Sequence, residues 1–154
     1  MAAPWWRPPW PQPIQIATIG GQTVRLAEKV AVVTGSSRGV GRGIAERLAA
    51  EGARVVVNGR NRQTIEPVAE SLRASGADAL ALAADVGRRE DVERLFEEVV
   101  RAFGGVDILV NNAGWASPEA HFLEMDEEHW DTVIRTNLKS VYLCSHRAAN
   151  LMVD

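Results

Sequence analysis

Four short runs of apolar residues recur along the chain and alternate with longer stretches whose apolar residues are spaced three and four apart. Each run is nearly all apolar, as expected for a strand covered by helices on both faces. We predict strands at residues 30–33, 54–57, 79–83 and 106–110. Strands that alternate with amphipathic helices are typical of an α/β fold with a doubly wound parallel sheet.

The stretches between the runs predict helices. In the clearest helix one face is apolar and the other carries Glu and Arg, with Gly104 placed to end it; the apolar residues are Val92, Leu95, Phe96, Val99 and Val100. A second helix has Ile65 and Leu72 on its apolar face and Gly76 at its end. Its Pro67 is compatible with a helix if Thr64 is the N-cap, because the first turn has N–H groups without helical partners.

The amino-terminal segment differs in composition from the rest of the chain. Its first 13 residues hold five of the seven prolines and three of the five tryptophans, a composition that supports neither a helix nor a central strand. We predict a flexible leader at residues 1–25, either a docking peptide with polyproline character or an upstream extension. Residues 14–26 have a weak strand-like pattern, and residues 26–154 form the predicted domain.

Bulk composition fits an ordinary globular protein and excludes several classes. The chain is 46% hydrophobic and 24% charged, which argues against disorder. A net charge of -3 offers no basic field for nucleic acid or anionic lipid, so small molecules or proteins are the expected partners. No apolar run approaches the length of a membrane span, about 20 residues, and the single cysteine, Cys144, cannot form an internal disulfide. These features predict a cytoplasmic protein.

A glycine-rich turn follows the first predicted strand and leads into a helix predicted at residues 42–51. It reads TGSSRGVG from Thr34 and contains Gly35, Gly39 and Gly41. Glycines let a ligand approach the backbone, while free N–H groups and the positive end of the helix dipole favour a pyrophosphate. Such turns also occur for packing reasons alone. In its strand and helix context, this turn predicts a dinucleotide site.

The end of the second predicted strand bears on which dinucleotide is bound. An acidic side chain there usually binds the ribose 2′-hydroxyl, but the chain has Asn58 followed by Gly59 and Arg60. Without a carboxylate to repel a 2′-phosphate, Arg60 and Arg38 could hold that phosphate through charge-assisted hydrogen bonds. The alternative is that both arginines are solvated surface charges. We predict NADP(H) as the cofactor, with NAD(H) less favoured.

Two further motifs follow the third and fourth strands, where an open parallel sheet places its ligand crevice. Asp85 and Val86 follow the third strand, and the string NNAG occupies residues 111–114. In this order and spacing the motifs resemble the short-chain dehydrogenase/reductase superfamily, and the string VAVVTGSSRGVGRGIA is similar to its 3-oxoacyl-reductase-like members. The resemblance runs from about Leu26 to the C-terminus and implies a Rossmann-type fold.

The resemblance also implies roles for individual residues. Asp85 would accept a hydrogen bond from the adenine amino group, unless it is only a turn-forming residue, and Val86 would line the adenine pocket. The segment from Asn111 to Gly114 would brace the fourth strand beside the cofactor ribose. Asn137 would interrupt its helix and hold a water in a proton relay, unless it is a plain helix-surface residue. The predicted cofactor-binding residues are Gly35, Ser37, Arg38, Gly39, Val40, Gly41, Arg60, Asp85, Val86, Asn111, Ala113 and Gly114.

Asn137 is the one catalytic-set residue that we can place. The family also uses a tyrosine that exchanges a proton with the carbinol oxygen, a lysine four residues later, and a serine. The only tyrosine, Tyr142, lies just after Asn137, and the residue four positions after it is His146 rather than a lysine. Ser140 and Ser145 lie in the same predicted helix rather than after a fifth strand. We therefore expect a C-terminally truncated member with about four of the family's seven strands.

Other polar residues carry weaker signals. Trp115 and His121 lie in the loop where family members approach substrate, and packing or solvent contacts explain them equally well. The chain has three histidines, at positions 121, 129 and 146. No two of them are four residues apart, as a metal-binding pair on one helix would be. No acidic or thiol ligand completes a set with them, so we predict no metal site.

Together these features predict the NADP(H)-binding part of an oxidoreductase that moves a hydride between nicotinamide and an alcohol or ketone. For a full-length form the resemblance implies a small carbonyl or alcohol substrate and a homo-oligomer. We expect the 154-residue chain alone to be inactive. The alternative is a catalytically inactive product that binds nucleotide or another protein.

Overall fold

The computed structural model describes residues 17–19, 22–116 and 121–153. The strands are β1 (Ala17–Ile19), β2 (Gln22–Val24), β3 (Val30–Val33), β4 (Arg54–Gly59), β5 (Ala79–Ala83) and β6 (Ile108–Val110). The helices are α1 (Gly39–Ala50), α2 (Arg62–Ala74), α3 (Arg89–Phe103), α4 (Glu127–Ile134) and α5 (Ser140–Val153). A 3-10 turn at Phe122–Glu124 precedes α4, and a π-helical turn at Arg135–Lys139 joins α4 to α5.

Strands β3 to β6 form one parallel sheet in the order β5-β4-β3-β6. Val30 pairs with Arg54 of β4, and Val33 pairs with Val110 of β6. The chain runs from β3 to β4 and β5 on one side and then returns to place β6 on the other side of β3. The predicted Rossmann-type sheet is confirmed. In such sheets the ligand crevice lies at the carboxyl ends of the strands where the order reverses, which here is between β3 and β6.

Both faces of this sheet are buried by helices. Successive strand residues point to opposite sides, so each strand contributes side chains to both faces. One face packs against α1 and α2, and the other packs against α3 and α5. The first cluster includes Val33, Val57, Ala45 and Ile65, and the second includes Val32, Val56, Phe96 and Leu143. Packing on both faces fixes the strands, so the loops that follow their carboxyl ends are held together at one edge of the sheet.

The helix ends agree with the predictions in one case and differ in another. Gly104 has a φ of 87° and ends α3 as predicted. The predicted N-cap of α2, Thr64, is wrong, because Asn61 caps this helix by accepting a hydrogen bond from the N–H of Gln63 at 2.8 Å. Asparagine is among the preferred N-cap residues. Pro67 therefore lies in the second turn, where its missing N–H removes one backbone hydrogen bond.

Several element bounds differ from prediction by two or three residues. β4 runs on to Gly59, and α1 begins at Gly39, inside the glycine-rich turn. β6 begins only at Ile108, although Val106 is 6% exposed and packs in the core. The extension of β4 carries the backbone to the residue before Arg60. The early start of α1 places its first N–H groups at the turn itself.

A two-stranded antiparallel hairpin, β1 and β2, lies within the predicted strand-like segment at residues 14–26. Val24 of β2 is buried, and a Cβ on Gly52 would lie 3.1 Å from its Cγ2. The N–H of Leu26 donates to the carbonyl oxygen of Glu51 at 2.8 Å. The segment therefore packs against the C-terminal end of α1. Residues 1–16, which hold most of the predicted leader, lie outside the described residues, and the boundary between leader and domain stays a prediction.

Candidate functional site

The three glycines of the turn after β3 serve different purposes. Gly35 has a φ of 63°, and a Cβ there would lie 2.7 Å from the Cα of Ala113. A Cβ on Gly41 would lie 2.6 Å from the carbonyl oxygen of Gly35. Gly39 also has a positive φ, 56°, but among the described residues nothing beyond its chain neighbours and its own helix backbone lies within 4 Å of the position of its Cβ. Packing explains Gly35 and Gly41, whereas Gly39 leaves open space beside the backbone that a ligand can approach.

The N-terminus of α1 faces this open space without a cap of its own. Arg38 is the N-cap residue, and among the described residues its side chain makes no capping hydrogen bond. The first N–H groups of a helix have no helical acceptor, and the helix dipole adds positive charge there. Arg38 and Gly39 are exposed, and Val40 is 75% exposed. This end of α1 fits an anionic group such as a pyrophosphate.

Asn58, near the end of β4, binds the neighbouring strand rather than facing solvent. The residue is 1% exposed, and its Nδ2 donates to the carbonyl oxygens of Leu82 at 3.0 Å and Ala84 at 3.3 Å. Its backbone N–H donates to the Oγ of Ser36 at 3.0 Å. The sequence pattern indicates only that residue 58 is not an acid. The structure shows that it ties β4 to both the glycine-rich turn and the residues before Asp85.

Two residues of the predicted phosphate site lie beside this tie. A Cβ on Gly59 would lie 3.7 Å from the Cβ of Ser37, so the glycine-rich turn and the end of β4 are adjacent. Arg60 is exposed and follows directly after β4. Arg38 and Arg60 thus lie at the same edge of the sheet, one on each of two adjacent segments.

Asp85 is held at several atoms where the chain leaves β5. Its Oδ1 accepts from the N–H of Gly87 at 3.0 Å, and its Oδ2 accepts from Nη1 of Arg135 at 3.2 Å. Its backbone N–H donates to Oδ2 of Asp91 at 2.9 Å. Val86 is 5% exposed and packs in the core cluster with Phe96. Asp85 can therefore present a fixed carboxylate, whereas little of the Val86 side chain is free to line a pocket.

The NNAG segment is bound to the start of the glycine-rich turn. The Oγ1 of Thr34 accepts from the N–H groups of Asn112 and Ala113, both at 3.0 Å. Nδ2 of Asn112 donates to the carbonyl oxygens of Thr34 at 2.9 Å and Gly35 at 3.0 Å. Thr34 and Asn112 were absent from the predicted site residues. Both residues lie inside the two motifs, which is the feature that could have identified them. Their spacing in the sequence does not predict that the two motifs bind each other.

Asn111 points away from this tie, because its Nδ2 donates to the Oγ of Ser145 in α5 at 2.9 Å. Ser140 is buried, and its Oγ donates to the carbonyl oxygen of Thr136 at 2.6 Å. Both serines therefore have local partners within or beside α5.

Burial raises the pKa of the Cys144 thiol to about 12, so this cysteine stays protonated at neutral pH.

Asn137 lies in the π-helical turn between α4 and α5 and binds the loop after β6. Its Nδ2 donates to the carbonyl oxygens of Val133 and Trp115, each at 2.9 Å, and its Oδ1 accepts from the N–H of Trp115 at 3.0 Å. A Cβ on Gly114 would lie 2.9 Å from that Oδ1. The Trp115 and His129 ring centroids are 5.3 Å apart. The helix is thus interrupted at Asn137, and Gly114 leaves room for its side chain.

Tyr142 and His146 lie one turn apart on α5, with ring centroids 5.7 Å apart. Tyr142 is 58% exposed. His121 is also exposed and precedes the 3-10 turn. Within the described ranges, no group of three or more His, Cys, Asp or Glu side chains could hold a metal ion. No helix in the described part of the chain is long and apolar enough to cross a membrane.

A cavity of about 640 Å³ lies at the other end of the sheet, where the strands begin. Its lining includes Glu28, Glu46, Arg54 and Asp78. Arg54 pairs with Glu28 and approaches Asp78 at 3.9 Å. This cavity is separate from the edge that carries the glycine-rich turn, so it is not part of the candidate site.

Comparison with known proteins adds to this geometry. The short chain dehydrogenase family model matches residues 29–154. A 3-oxoacyl-(acyl-carrier-protein) reductase of Staphylococcus aureus is 44% identical over 126 residues, which are 81% of this chain and 51% of that protein. Versicolorin reductase 1 of Aspergillus parasiticus is 42% identical over 125 residues, covering 80% of this chain and 47% of that protein. The chain spans about half the length of the curated relatives it matches.

Solved structures give the same result. A protein of Sinorhizobium meliloti described as a short-chain alcohol dehydrogenase matches with a TM-score of 0.79 and 38% identity, over 84% of this chain and 51% of that one. A metagenomic short-chain oxidoreductase in complex with NADP matches with a TM-score of 0.79 and 37% identity, over 83% and 58% of the two chains. Fold, site geometry and relatives agree: the chain belongs to the short-chain dehydrogenase/reductase superfamily of oxidoreductases and has 3-oxoacyl-reductase-like relatives.

Proposed function

We propose that this chain is the NADP(H)-binding part of a reductase or dehydrogenase that acts on a carbonyl or alcohol. The observation that carries the proposal is the uncapped N-terminus of α1, which lies beside the open space at Gly39 with Arg38 and Arg60 at the same edge. A pyrophosphate at the helix N-terminus and a 2′-phosphate between the arginines both suit these groups. A relative solved in complex with NADP supports the choice of nucleotide.

The remaining site residues have proposed roles around the same nucleotide. Asp85 accepts a hydrogen bond from the adenine amino group, beside Val86. The segment from Asn111 to Gly114 braces β6 next to the ribose. Asn137 holds a water for proton transfer, in addition to its bonds to Trp115. The backbone cradle is formed by Gly35, Ser37, Arg38, Gly39, Val40 and Gly41.

The chemistry that a bound nicotinamide supplies is hydride transfer between its C4 and the carbonyl carbon of a substrate. The chain's own contribution is to bind and orient the nucleotide at the carboxyl edge of the sheet. We propose a cytoplasmic, homo-oligomeric protein for the full-length form, with a small carbonyl or alcohol substrate. The named relatives include a 3-oxoacyl-(acyl-carrier-protein) reductase, so a 3-oxoacyl group is a reasonable probe substrate.

The second candidate function is nucleotide or protein binding without catalysis. The observation that favours it is that the sole tyrosine, Tyr142, has His146 rather than lysine four residues later and is packed against that histidine. We therefore expect no turnover from the 154-residue chain alone.

Nucleotide titration tests the first proposal. NADPH and NADH are added separately to the 154-residue chain while tryptophan fluorescence is followed, and we expect NADPH to bind more tightly. Arg60→Ala should weaken NADPH binding about tenfold or more and leave NADH binding unchanged, because a charge-assisted hydrogen bond is lost only for the 2′-phosphate. The control is Arg62→Ala, since Arg62 is also exposed and pairs with Glu66 at 3.1 Å. Equal or absent binding of both nucleotides contradicts the proposal.

A turnover assay separates the two candidate functions. The purified chain is mixed with NADPH and a short 3-oxoacyl thioester, and NADPH absorbance is recorded. We expect nucleotide binding without consumption of NADPH. Measurable reduction of the thioester would show that these 154 residues carry a complete catalytic set and would exclude the non-catalytic alternative.

A further inference from the structure

An ion pair joins the end of β5 to the turn that carries Asn137. Nη1 of Arg135, the first residue of the π-helical turn, lies 3.2 Å from Oδ2 of Asp85, 50 residues earlier in the chain. The other carboxylate oxygen of Asp85 accepts from the N–H of Gly87. Within the described residues, each oxygen of Asp85 thus has one donor. A carboxylate oxygen has two lone pairs, so each oxygen can accept one further hydrogen bond from a ligand.

The stem of Arg135 is fitted to this position. Gly87 is buried, and a Cβ added to it would lie 3.1 Å from Cγ of Arg135 and 3.2 Å from Oδ1 of Asp85. The absence of a side chain at Gly87 therefore lets the arginine lie across the loop after β5. The Asp85 side chain is 27% exposed and that of Arg135 is 39% exposed, so water reaches the pair only in part.

Other contacts fix the backbone of this loop but not the carboxylate. Oδ2 of Asp91 accepts from the N–H of Asp85, and Nδ2 of Asn58 donates to the carbonyl oxygen of Ala84. Among the side chains that the structure describes, Arg135 alone donates to the carboxylate of Asp85. The rotation of a carboxylate about its last bond has a broad energy minimum. The N–H of Gly87 holds Oδ1 and Arg135 holds Oδ2, so without Arg135 the plane in which Asp85 offers its remaining lone pairs is held at one oxygen only.

We propose that Arg135 is a positioning residue for recognition of the adenine amino group, acting through Asp85. This inference rests on the proposed function, because it requires a nucleotide whose adenine lies at Asp85. Arg135 holds the carboxylate in one orientation before binding, so the amino group meets an acceptor that needs no reorganisation. The discrimination between adenine and a base without that amino group then depends on Arg135.

The test compares NADPH with its hypoxanthine analogue, reduced nicotinamide hypoxanthine dinucleotide phosphate, in which an oxygen replaces the adenine amino group. The 154-residue chain should bind NADPH about tenfold more tightly than the analogue, since it loses a hydrogen bond to a charged group with the analogue. In Arg135→Met, which keeps an unbranched stem over Gly87, the ratio of the two dissociation constants should fall below about threefold. Arg135→Lys should retain more of the ratio than Arg135→Met.

The matched control is Arg147→Met. Arg147 lies in α5, is 27% exposed and pairs with Glu93 at 2.9 Å, away from Asp85. It should leave the ratio at its parent value, and circular dichroism should show that each variant is folded. A purely structural role of Arg135 would weaken the binding of NADPH and the analogue equally.

Three outcomes are informative. If the parent chain prefers NADPH and Arg135→Met does not, the inference stands. If the parent and Arg135→Met show the same ratio, the inference is overturned while nucleotide binding stands. If Arg135→Met does not fold, Arg135→Lys replaces it, and a folded Arg135→Lys with the parent ratio also overturns the inference. If the parent binds neither nucleotide, the proposed function fails and the inference fails with it.

Discussion

The side chain of Asn137 forms a closed pair of hydrogen bonds with the backbone of Trp115. Its Oδ1 accepts from the N–H of Trp115 at 3.0 Å, and its Nδ2 donates to the carbonyl oxygen of the same residue at 2.9 Å. A third bond goes to the carbonyl oxygen of Val133, which interrupts the ordinary helical pairing. This arrangement fastens the loop after β6 to the junction of α4 and α5.

Asn137→Ala should lower the free energy of unfolding by about 1–2 kcal/mol, because three hydrogen bonds are lost at a residue that water can partly reach. Urea denaturation followed by circular dichroism measures the change. Asn150→Ala is the matched control, since Asn150 is an exposed asparagine of α5 whose Nδ2 makes one local bond, to the carbonyl oxygen of His146. Equal losses for the two variants would show that Asn137 does not hold the loop.

Substitution of two glycines of α1 that are two residues apart should change stability in opposite directions. Gly41→Ala should destabilise the protein by about 1–3 kcal/mol, because the new Cβ would lie 2.6 Å from the carbonyl oxygen of Gly35. Gly43→Ala should raise the free energy of unfolding by about 0.5–1 kcal/mol, since in the described part of the chain only its own helix backbone lies near its Cβ position and alanine favours the helix.

Thermal and urea denaturation of both variants check this pair of predictions. A destabilising Gly43→Ala would mean that the N-terminal turns of α1 tolerate no added side chain. A neutral Gly41→Ala would mean that the turn can relax, and that packing does not explain the glycine.

The sheet and the glycine-rich turn could be predicted because their signals are local. Four nearly all-apolar runs specify buried parallel strands, and the glycines from Gly35 to Gly41 come directly after a strand and lead into a helix. The N-cap of α2 shows the limit of this reasoning. Asn61 and Thr64 are both preferred cap residues. The helix begins after Asn61, two residues after the end of β4.

The contacts that organise the site could not be predicted, because they join residues distant in the chain. Asn58 reaches a carbonyl oxygen 24 residues later, and Arg135 reaches a carboxylate 50 residues earlier. These partners are fixed only once β4 pairs with β5 and the turn after α4 packs over Gly87. Sequence patterns identify which residues stand near the crevice, but strand register decides which of them face it and which are used in packing.

Asp91 provides a prediction about pH. The N–H of Asp85, together with the guanidinium of Arg94, holds the pKa of Asp91 below its ordinary value. A depressed pKa in the folded state means that the stabilisation is present above the unfolded-state pKa and is lost as pH falls through the folded-state pKa. Asp91→Asn should cost about 0.5–1 kcal/mol at pH 7, a value reduced by solvent exposure. The difference from the parent should shrink below about pH 4.

Urea denaturation at a series of pH values measures this difference. Glu90→Gln is the control, because Glu90 is an exposed acidic residue of the same first turn and shares the favourable interaction with the helix dipole. A gap between parent and Asp91→Asn that stays constant from neutral to acidic pH would show that the charge of Asp91 makes no contribution through Asp85.

Asn58 makes the strongest prediction about nucleotide preference. Placing an acid at the end of the second strand of this fold is the obvious route to NAD(H) binding, because a carboxylate there accepts from the ribose 2′-hydroxyl. In this chain Asn58→Asp should instead destabilise the protein by about 3 kcal/mol or more, since a buried carboxylate would face the carbonyl oxygens of Leu82 and Ala84. NADH affinity should not improve.

Asn61→Asp is the matched control, because aspartate caps a helix as well as asparagine does and Asn61 is exposed. Denaturation and titration with NADH and NADPH should therefore show a near-parent protein for Asn61→Asp and a strongly destabilised one for Asn58→Asp. If Asn58→Asp is stable and binds NADH more tightly, its side chain must turn toward the ribose. The proposed preference for NADPH would then depend on residue 58 rather than on the charges of Arg38 and Arg60.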